Sequence, residues 1–163
     1  MKTPKLFFLI TLCIFIVNIS SAQDIPELNK EIIKYVKSVK GKKVDRGECW
    51  DLANQALKLV DADWDKAYIY GTSINPKTDE IFPGDLIQFE NVKTQHTKEN
   101  ATYTEIMTHH TAIVYKVIGK DVFEIAHQNT QFSGKKVGIS ELNLNHIVKG
   151  DIFFYRPTKN REK

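Results

Sequence analysis

The hydrophobic residues of this chain change their spacing about halfway along it, and that change restricts the possible folds. In the first half, apolar positions recur every three or four residues, which predicts amphipathic helices at 25–40 and 48–60. Asp45 is a candidate cap for the second helix. Beyond residue 83 turn signals separate short apolar segments, and 110–118 is alternating and rich in β-branched residues, as in strands. Helices followed by an antiparallel sheet predict an α+β fold, with N-terminal helices packed on a small sheet.

Turn signals divide the second half of the chain into strands. The clearest are Pro-Gly-Asp at 83–85 and Gly-Lys-Asp at 119–121, the second of which predicts a hairpin. The polar segment 91–108 predicts either a loop or an extended hairpin tip. We predict strands at 68–70, 86–89, 110–118, 122–128 and 151–155. Residues 156–163 are expected to form a charged tail.

The N-terminus has the pattern of a secretory signal peptide. Two early lysines precede a nearly unbroken apolar run of 12 residues, 6–17, and small residues follow at 20–22. We therefore expect residues 1–22 to be removed, which leaves a single domain, 23–163, in a secreted or periplasmic protein. An uncleaved N-terminal anchor is the alternative, because no polar stretch precedes the small residues.

Composition and motifs argue against several kinds of partner. A net charge of +3 over 163 residues is too small to favour nucleic acid as the main partner. The chain lacks H-E-x-x-H and paired C-x-x-C motifs, so we expect no metal and no cofactor. The predicted mature protein is a monomer that does not engage a membrane once the signal is removed.

The cysteine count gives the first functional indication. The chain has two cysteines, and removal of the signal peptide would take Cys13 with it. Cys49 would then lack an intramolecular partner in an oxidising compartment, where an unpaired thiol is a liability unless it has a role. Cys49 lies in the first turn of the second predicted helix, where free N–H groups and the helix dipole favour a thiolate and lower its pKa. The alternative is a small buried cysteine that packs like alanine.

A cysteine nucleophile needs a base, and that base needs an orienting group. His110 opens a predicted strand with its side chain on the face opposite that of His109. On the next strand, His127 and Asn129 share a face. A two-residue turn at 118–119 would place His110 opposite His127, whereas a slightly longer turn would place Asn129 there instead. Both registers give His110 a polar neighbour.

Four short motifs, taken together, resemble the papain-like CHAP and NlpC superfamily. They are Gly-Glu-Cys-Trp at 47–50, the turn and strand at 83–89, His-Thr-Ala-Ile-Val at 110–114 and His-Gln-Asn at 127–129. In those families a cysteine that begins a helix is followed by a P-G-D strand, a strand that starts with histidine, and a strand that ends in a polar orienting residue. CHAP domains commonly end that last strand with Glu-x-Asn. Here His127 replaces the glutamate, as in NlpC-type domains, which often use a second histidine.

The local match is nearer to a less understood branch of the superfamily. Residues 46–53, Tyr70-Gly71 and 109–114 look like the cysteine-proteinase-fold domain at the C-terminus of some fungal actin-patch SH3 proteins. The resemblance covers most of residues 44–155. That branch supplies a fold but no activity that can be transferred.

The wider superfamily resemblance implies catalytic roles for four residues. Cys49 would attack an amide carbonyl, and His110 would hold its proton and pass it to the leaving amine. His127 or Asn129 would orient His110. The backbone N–H of Cys49 would help to stabilise the oxyanion.

Three functions are compatible with these residues. The first is a secreted cysteine hydrolase that acts as a peptidoglycan amidase or endopeptidase. The second is a papain-like amidase or peptidase with a substrate outside the cell wall. The third is a non-catalytic binding module on the same fold, which the retained Cys–His pair disfavours.

Overall fold

The computed structural model describes residues 24–159. The predicted signal peptide, residues 1–22, lies outside this range. The elements, in chain order, are α1 (Glu27–Val39), α2 (Cys49–Leu59), β1 (Ala62–Asp63), β2 (Thr72–Ile74), β3 (Leu86–Lys98), β4 (Ala101–Gly119), β5 (Val122–His127), β6 (Gly138–Asn143), a 3-10 turn (Leu144–His146), β7 (Ile147–Arg156) and β8 (Thr158–Lys159). The α+β prediction is confirmed: two helices pack on an antiparallel sheet.

Six strands form the main sheet in the order β2-β7-β3-β4-β5-β6. A separate two-stranded sheet pairs β1 with β8. The prediction of a charged tail at 156–163 is therefore wrong for its first residues, because Arg156 ends β7 and Thr158 pairs with Asp63. The segment 91–108 was predicted to be either a loop or an extended hairpin tip. It is the hairpin tip, since β3 and β4 stay paired out to Lys98 and Ala101.

The helices begin close to their predicted starts, but one cap is different. In α2 the side chain of Glu48 accepts from the N–H of Asp51, while Asp51 accepts from the N–H of Glu48 at 3.0 Å. This reciprocal capping box, together with the bond from the Asp51 N–H to the Glu48 carbonyl oxygen at 3.0 Å, closes the first turn of α2. Asp45 is not the cap, because it lies in the preceding turn with φ of 50°. The predicted strand at 68–70 is also wrong, and the short strand forms at Thr72–Ile74 instead.

The main sheet carries a hydrophobic cluster on each face. The face that we call the helix side packs Leu86 and Ile113 against α1 and α2. The other face, the far side, buries Phe89, Ala112 and their neighbours without a helix. Successive side chains of β4 point to opposite faces of the sheet. Each of its polar residues therefore lies either on the helix side or on the far side.

The turn before β3 is fixed by a buried carboxylate. Asp85 accepts from the N–H of Phe82 at 2.8 Å, from Asn29 Nδ2 at 2.8 Å and from Arg156 Nη2 at 2.9 Å. Gly84 has φ of +92°, and a Cβ there would lie 2.6 Å from the carbonyl oxygen of Asn29. The turn predicted at 83–85 is therefore present, and the Asp85 carboxylate holds it in place. These contacts join α1, the turn and the end of β7.

Arg156→Ala should destabilise the fold, because it leaves the fully buried Asp85 carboxylate without its guanidinium. Removing one partner of a buried ion pair typically costs several kcal/mol, so we expect the free energy of unfolding to fall by about 3 kcal/mol. Urea denaturation measures this change. Lys34→Ala is the control: it removes an exposed pair with Glu31 and should change stability by less than about 0.5 kcal/mol. Equal stability of the two variants would contradict the role of Arg156.

Candidate active site

Cys49 is the first residue of α2 and is partly exposed. The loop before it is fastened to the end of β5 by Gln128, a fully buried side chain. Gln128 Nε2 donates to the carbonyl oxygens of Val44 (3.0 Å) and Glu48 (2.8 Å), and its Oε1 accepts from the N–H of Val44 at 3.2 Å. The amide of Gln128 thus sets where the thiol lies relative to the sheet. Sequence reasoning missed it, although the alternation of β5 placed Gln128 on the face opposite His127.

His110 and His127 form a buried pair on the far side of the sheet. His110 Nε2 lies 2.9 Å from His127 Nδ1, and the rings meet edge to face. His127 Nε2 lies 2.8 Å from Ser140 Oγ on β6. If Ser140 accepts from His127 Nε2–H, then His127 Nδ1 accepts from His110 Nε2–H. This leaves His110 Nδ1 as the ring nitrogen that can take a proton. No local pattern in the sequence indicates Ser140, because β6 is not among the predicted strands.

The strand register favours the longer turn, yet it is His127 that meets His110. Ile113 pairs with Ala126, a register that extrapolates to Asn129 opposite His110. Asn129 has φ of 62°, and its amide donates to Glu48 Oε2 at 2.7 Å. His127 reaches His110 diagonally, as residues two apart on neighbouring strands can. Of the two candidate orienting residues, the structure places His127 against His110 and Asn129 against the N-cap of α2.

Cys49 and His110 line one cavity of about 380 Å³. Asn129, Thr130 and Gln131 form one wall. The continuous segment 104–110 of β4 also lines the cavity. The three sequence-predicted residues Cys49, His110 and Asn129 are therefore brought together around one space, with His127 behind His110.

His109 belongs to a different cluster from His110. It lies on the helix side, where its Nδ1 is 2.9 Å from the carboxylate of Glu90. Gln88 Nε2 donates to Glu90 at 2.8 Å, and the ring of Tyr68 meets His109 edge to face at 4.2 Å. The strand thus presents two histidines on opposite faces, each with its own partner, and both line the cavity that Cys49 lines.

The charge states differ from those expected from helix position alone. Burial raises the pKa of the Cys49 thiol, and backbone hydrogen bonds to Thr111 and Trp50 oppose this only in part. The predicted lowering of that pKa is thus wrong in direction. Burial also lowers the pKa of His110 to about 4 and that of His127 to about 3. Near pH 7 the resting site therefore holds a neutral thiol and neutral imidazoles.

The depressed histidine pKa values predict a loss of stability in acid. An unfolded histidine titrates near pH 6.5. Between that pH and about 4, His110 and His127 therefore bind protons in the unfolded chain but stay unprotonated in the folded one. The free energy of unfolding should have its full value above pH 6.5. It should fall by several kcal/mol toward pH 4, at about 1.4 kcal/mol per proton and pH unit. Urea denaturation at several pH values measures the slope. His127→Asn removes one titrating group and should give a shallower slope; an unchanged slope would contradict this account.

Two further features of residues 24–159 bear on the site. No group of three or more His, Cys, Asp or Glu side chains in that range could hold a metal ion. No helix in the range is long and apolar enough to cross a membrane.

Solved structures resemble this fold at low identity. The crystal structure of Ly7917 matches 79% of this chain and 62% of its own, with 14% identity and a TM-score of 0.51. A second crystal structure, of Ly7917 with the hydrolyzing product of MDP, covers 79% and 63%, with 18% identity and a TM-score of 0.47. The chain spans about three fifths of the length of these structures, and the likeness concerns the fold alone.

No curated protein matches the sequence. The profile of the AIM3/BBC1 cysteine proteinase-fold domain, however, matches residues 26–162, which is nearly the whole chain beyond the predicted signal peptide. That range includes Cys49, both histidines of the buried pair and every strand of the main sheet. The chain therefore belongs to the AIM3/BBC1 cysteine proteinase-fold domain family.

Proposed function

We propose that this protein is a secreted cysteine hydrolase that cleaves amide or peptide bonds in peptidoglycan. The observation that carries the proposal is the shared cavity of Cys49 and His110, with His110 Nε2 held by His127 at 2.9 Å. A thiol that shares a cavity with a histidine, where that histidine is oriented by a third group, is the set of residues that nucleophilic catalysis uses.

In the first half of the proposed reaction, Cys49 becomes acylated. The Sγ–H proton passes to His110 Nδ1 as Sγ attacks the amide carbonyl carbon. The resulting oxyanion accepts from the backbone N–H of Cys49, which at the start of α2 has no partner within the helix. His110 then gives its proton to the leaving amine, the C–N bond breaks, and a thioester on Cys49 remains.

In the second half, water hydrolyses the thioester. His110 Nδ1 takes a proton from the attacking water, the C–S bond breaks, and the proton returns to Sγ. Because burial lowers the pKa of His110 to about 4, the imidazole is unprotonated at neutral pH but is a weak base, so the proposed proton transfer from the thiol accompanies the attack on the carbonyl rather than preceding it. His127 accepts from His110 Nε2–H throughout and keeps the ring in the tautomer that leaves Nδ1 available.

Export and the motif pattern support the cell wall as substrate. The predicted signal peptide would deliver the domain to the compartment that contains peptidoglycan. The resemblance of the four motifs between 47 and 129 to CHAP and NlpC domains points to the same substrate class. Hydroxyl and amide groups of Thr104, Thr108, Asn129 and Gln131 around the cavity can bond to the amides of a peptide.

Digestion of purified peptidoglycan tests the proposal. Wild-type protein should release soluble fragments with new amine and carboxyl ends, detected by mass spectrometry. The matched Cys49→Ser variant keeps the size of the side chain but replaces the thiol, and it should release far less. An absence of new ends with wild-type protein would contradict the peptidoglycan substrate.

A further inference from the structure

One edge of β4 remains unpaired beside the cavity. β5 pairs with β4 only from Ile113 to Gly119, whereas β3 pairs along the other edge down to Ala101. Within residues 24–159, no strand pairs with the β5-facing edge of segment 101–112. This edge carries main-chain donors and acceptors that a further strand could use.

The direction of the main-chain groups can be read from the nearest hydrogen bonds. Val114 turns both its groups toward the start of β3, because its N–H donates to Asp85 and its carbonyl accepts from Gly84. Main-chain groups alternate along a strand, so those of Thr111 and His109 point to the opposite, unpaired edge. The backbone hydrogen bond between Thr111 and Cys49 agrees with that direction. The edge therefore faces the thiol.

The same edge runs along the whole cavity. Residues 104–110 all line it, together with Cys49 and His110. Seven residues of strand span more than 20 Å, enough to pair with several residues of another chain. A strand added here would lead its backbone directly to Sγ.

The side chains of this edge leave it unprotected. Exposed edge strands are usually short or contain lysine or proline, and these features prevent pairing with other chains. Residues 101–108 contain a single charged residue, Glu105, and no proline. Ile106 and Tyr103 are 70% and 52% exposed. An apolar, weakly charged edge suits transient pairing with a peptide.

We propose that the substrate is a peptide in extended conformation that binds by adding a strand to the 104–110 edge of β4. This inference rests on the proposed function and restricts it: the bond cut is a backbone peptide bond, so the enzyme is an endopeptidase rather than an amidase that separates peptide from sugar. Regular strand pairing requires residues of one handedness or glycine, so the preferred stretch within peptidoglycan is an interpeptide bridge of L-residues or glycine rather than the stem peptide, which contains D-residues.

The test begins with a mixed library of capped all-L decapeptides and purified peptidoglycan, each incubated with wild-type protein. Mass spectrometry identifies a cleaved library peptide, which is then synthesised. Cys49→Ala protein, which can bind but not acylate, is mixed with this peptide, and amide hydrogen exchange is measured by segment. We expect exchange within 101–110 to slow by at least about tenfold. Segment 138–143 on β6, the outer edge of the same sheet, should not change.

Each other outcome contradicts a distinct claim. A peptide that is cleaved but does not protect 101–110 would overturn strand addition. Cleavage of peptidoglycan without cleavage of any library peptide, or release of whole peptides from the sugar, would overturn it and leave the hydrolase function standing. Cleavage of neither substrate would overturn the proposed function itself. Protection of 101–110 that rises with protein concentration before peptide is added would assign the edge to a second copy of the chain.

Discussion

Changing Cys49 to alanine should reduce the release of new amine ends from peptidoglycan by about 10⁴-fold or more, since loss of a nucleophile usually removes most of the rate enhancement. The expectation follows from the position of the thiol at the start of α2, inside the cavity it shares with His110. The measurement is the rate of product formation at saturating and limiting substrate, with both kcat and kcat/KM compared.

The alanine variant should keep its fold, because Cys49 is only partly buried and its thiol is not bonded to another cysteine. Urea denaturation of the variant provides that control. Loss of activity together with loss of the fold would say nothing about the nucleophile, so the Cys49→Ser variant is measured in parallel. Retention of more than about a tenth of the wild-type rate by a folded Cys49→Ala protein is incompatible with the acyl-enzyme mechanism.

The second large effect is expected at the histidines. Changing His110 to alanine should lower kcat/KM by about 10² to 10⁴, the usual contribution of a general acid–base group. His109→Ala is the matched comparison, because it changes the neighbouring residue of the same strand and leaves the main chain in place. His109 bonds to Glu90 on the helix side and not to His127, so its loss should cost less than about tenfold.

A reversal of this order would reassign the base. If His109→Ala loses more activity than His110→Ala, the pair His109–Glu90 serves Cys49, and the buried His110–His127 pair is structural. The two variants therefore decide between the two histidine clusters near the thiol. Loss of activity in both by similar factors would equally contradict the distinct roles assigned here.

The periodicity of the sequence predicts the elements that build the site better than it predicts their ends. Helix spacing locates α1 and α2, and the Pro-Gly-Asp turn locates β3, because each depends on local residue order. The true cap of α2, Glu48, was missed since glutamate is an uncommon N-cap and acts here through its reciprocal bond with Asp51. The end of the chain was read as a tail because the pairing of β8 with β1 joins residues almost 100 positions apart.

The sequence names residues that line one cavity in the structure, but it does not predict their contacts. The alternation of side chains along the strand predicts that His109 and His110 lie on opposite faces. The strand register could not be predicted, so His127 and Asn129 were both candidates to orient His110. Ser140 could not be found, since it reaches His127 through strand pairing rather than through any local pattern. The thiol pKa was misjudged in direction because a helix start favours the thiolate while burial, which no local pattern reveals, opposes it.

Selective alkylation of Cys49 tests the central claim most directly. Wild-type protein is treated with iodoacetamide for increasing times, peptide mapping gives the alkylated fraction of Cys49, and each sample is assayed for release of peptidoglycan ends. The account predicts that activity falls in proportion to that fraction and reaches zero when alkylation is complete. Activity that persists after every Cys49 thiol is alkylated would show that another group carries the reaction.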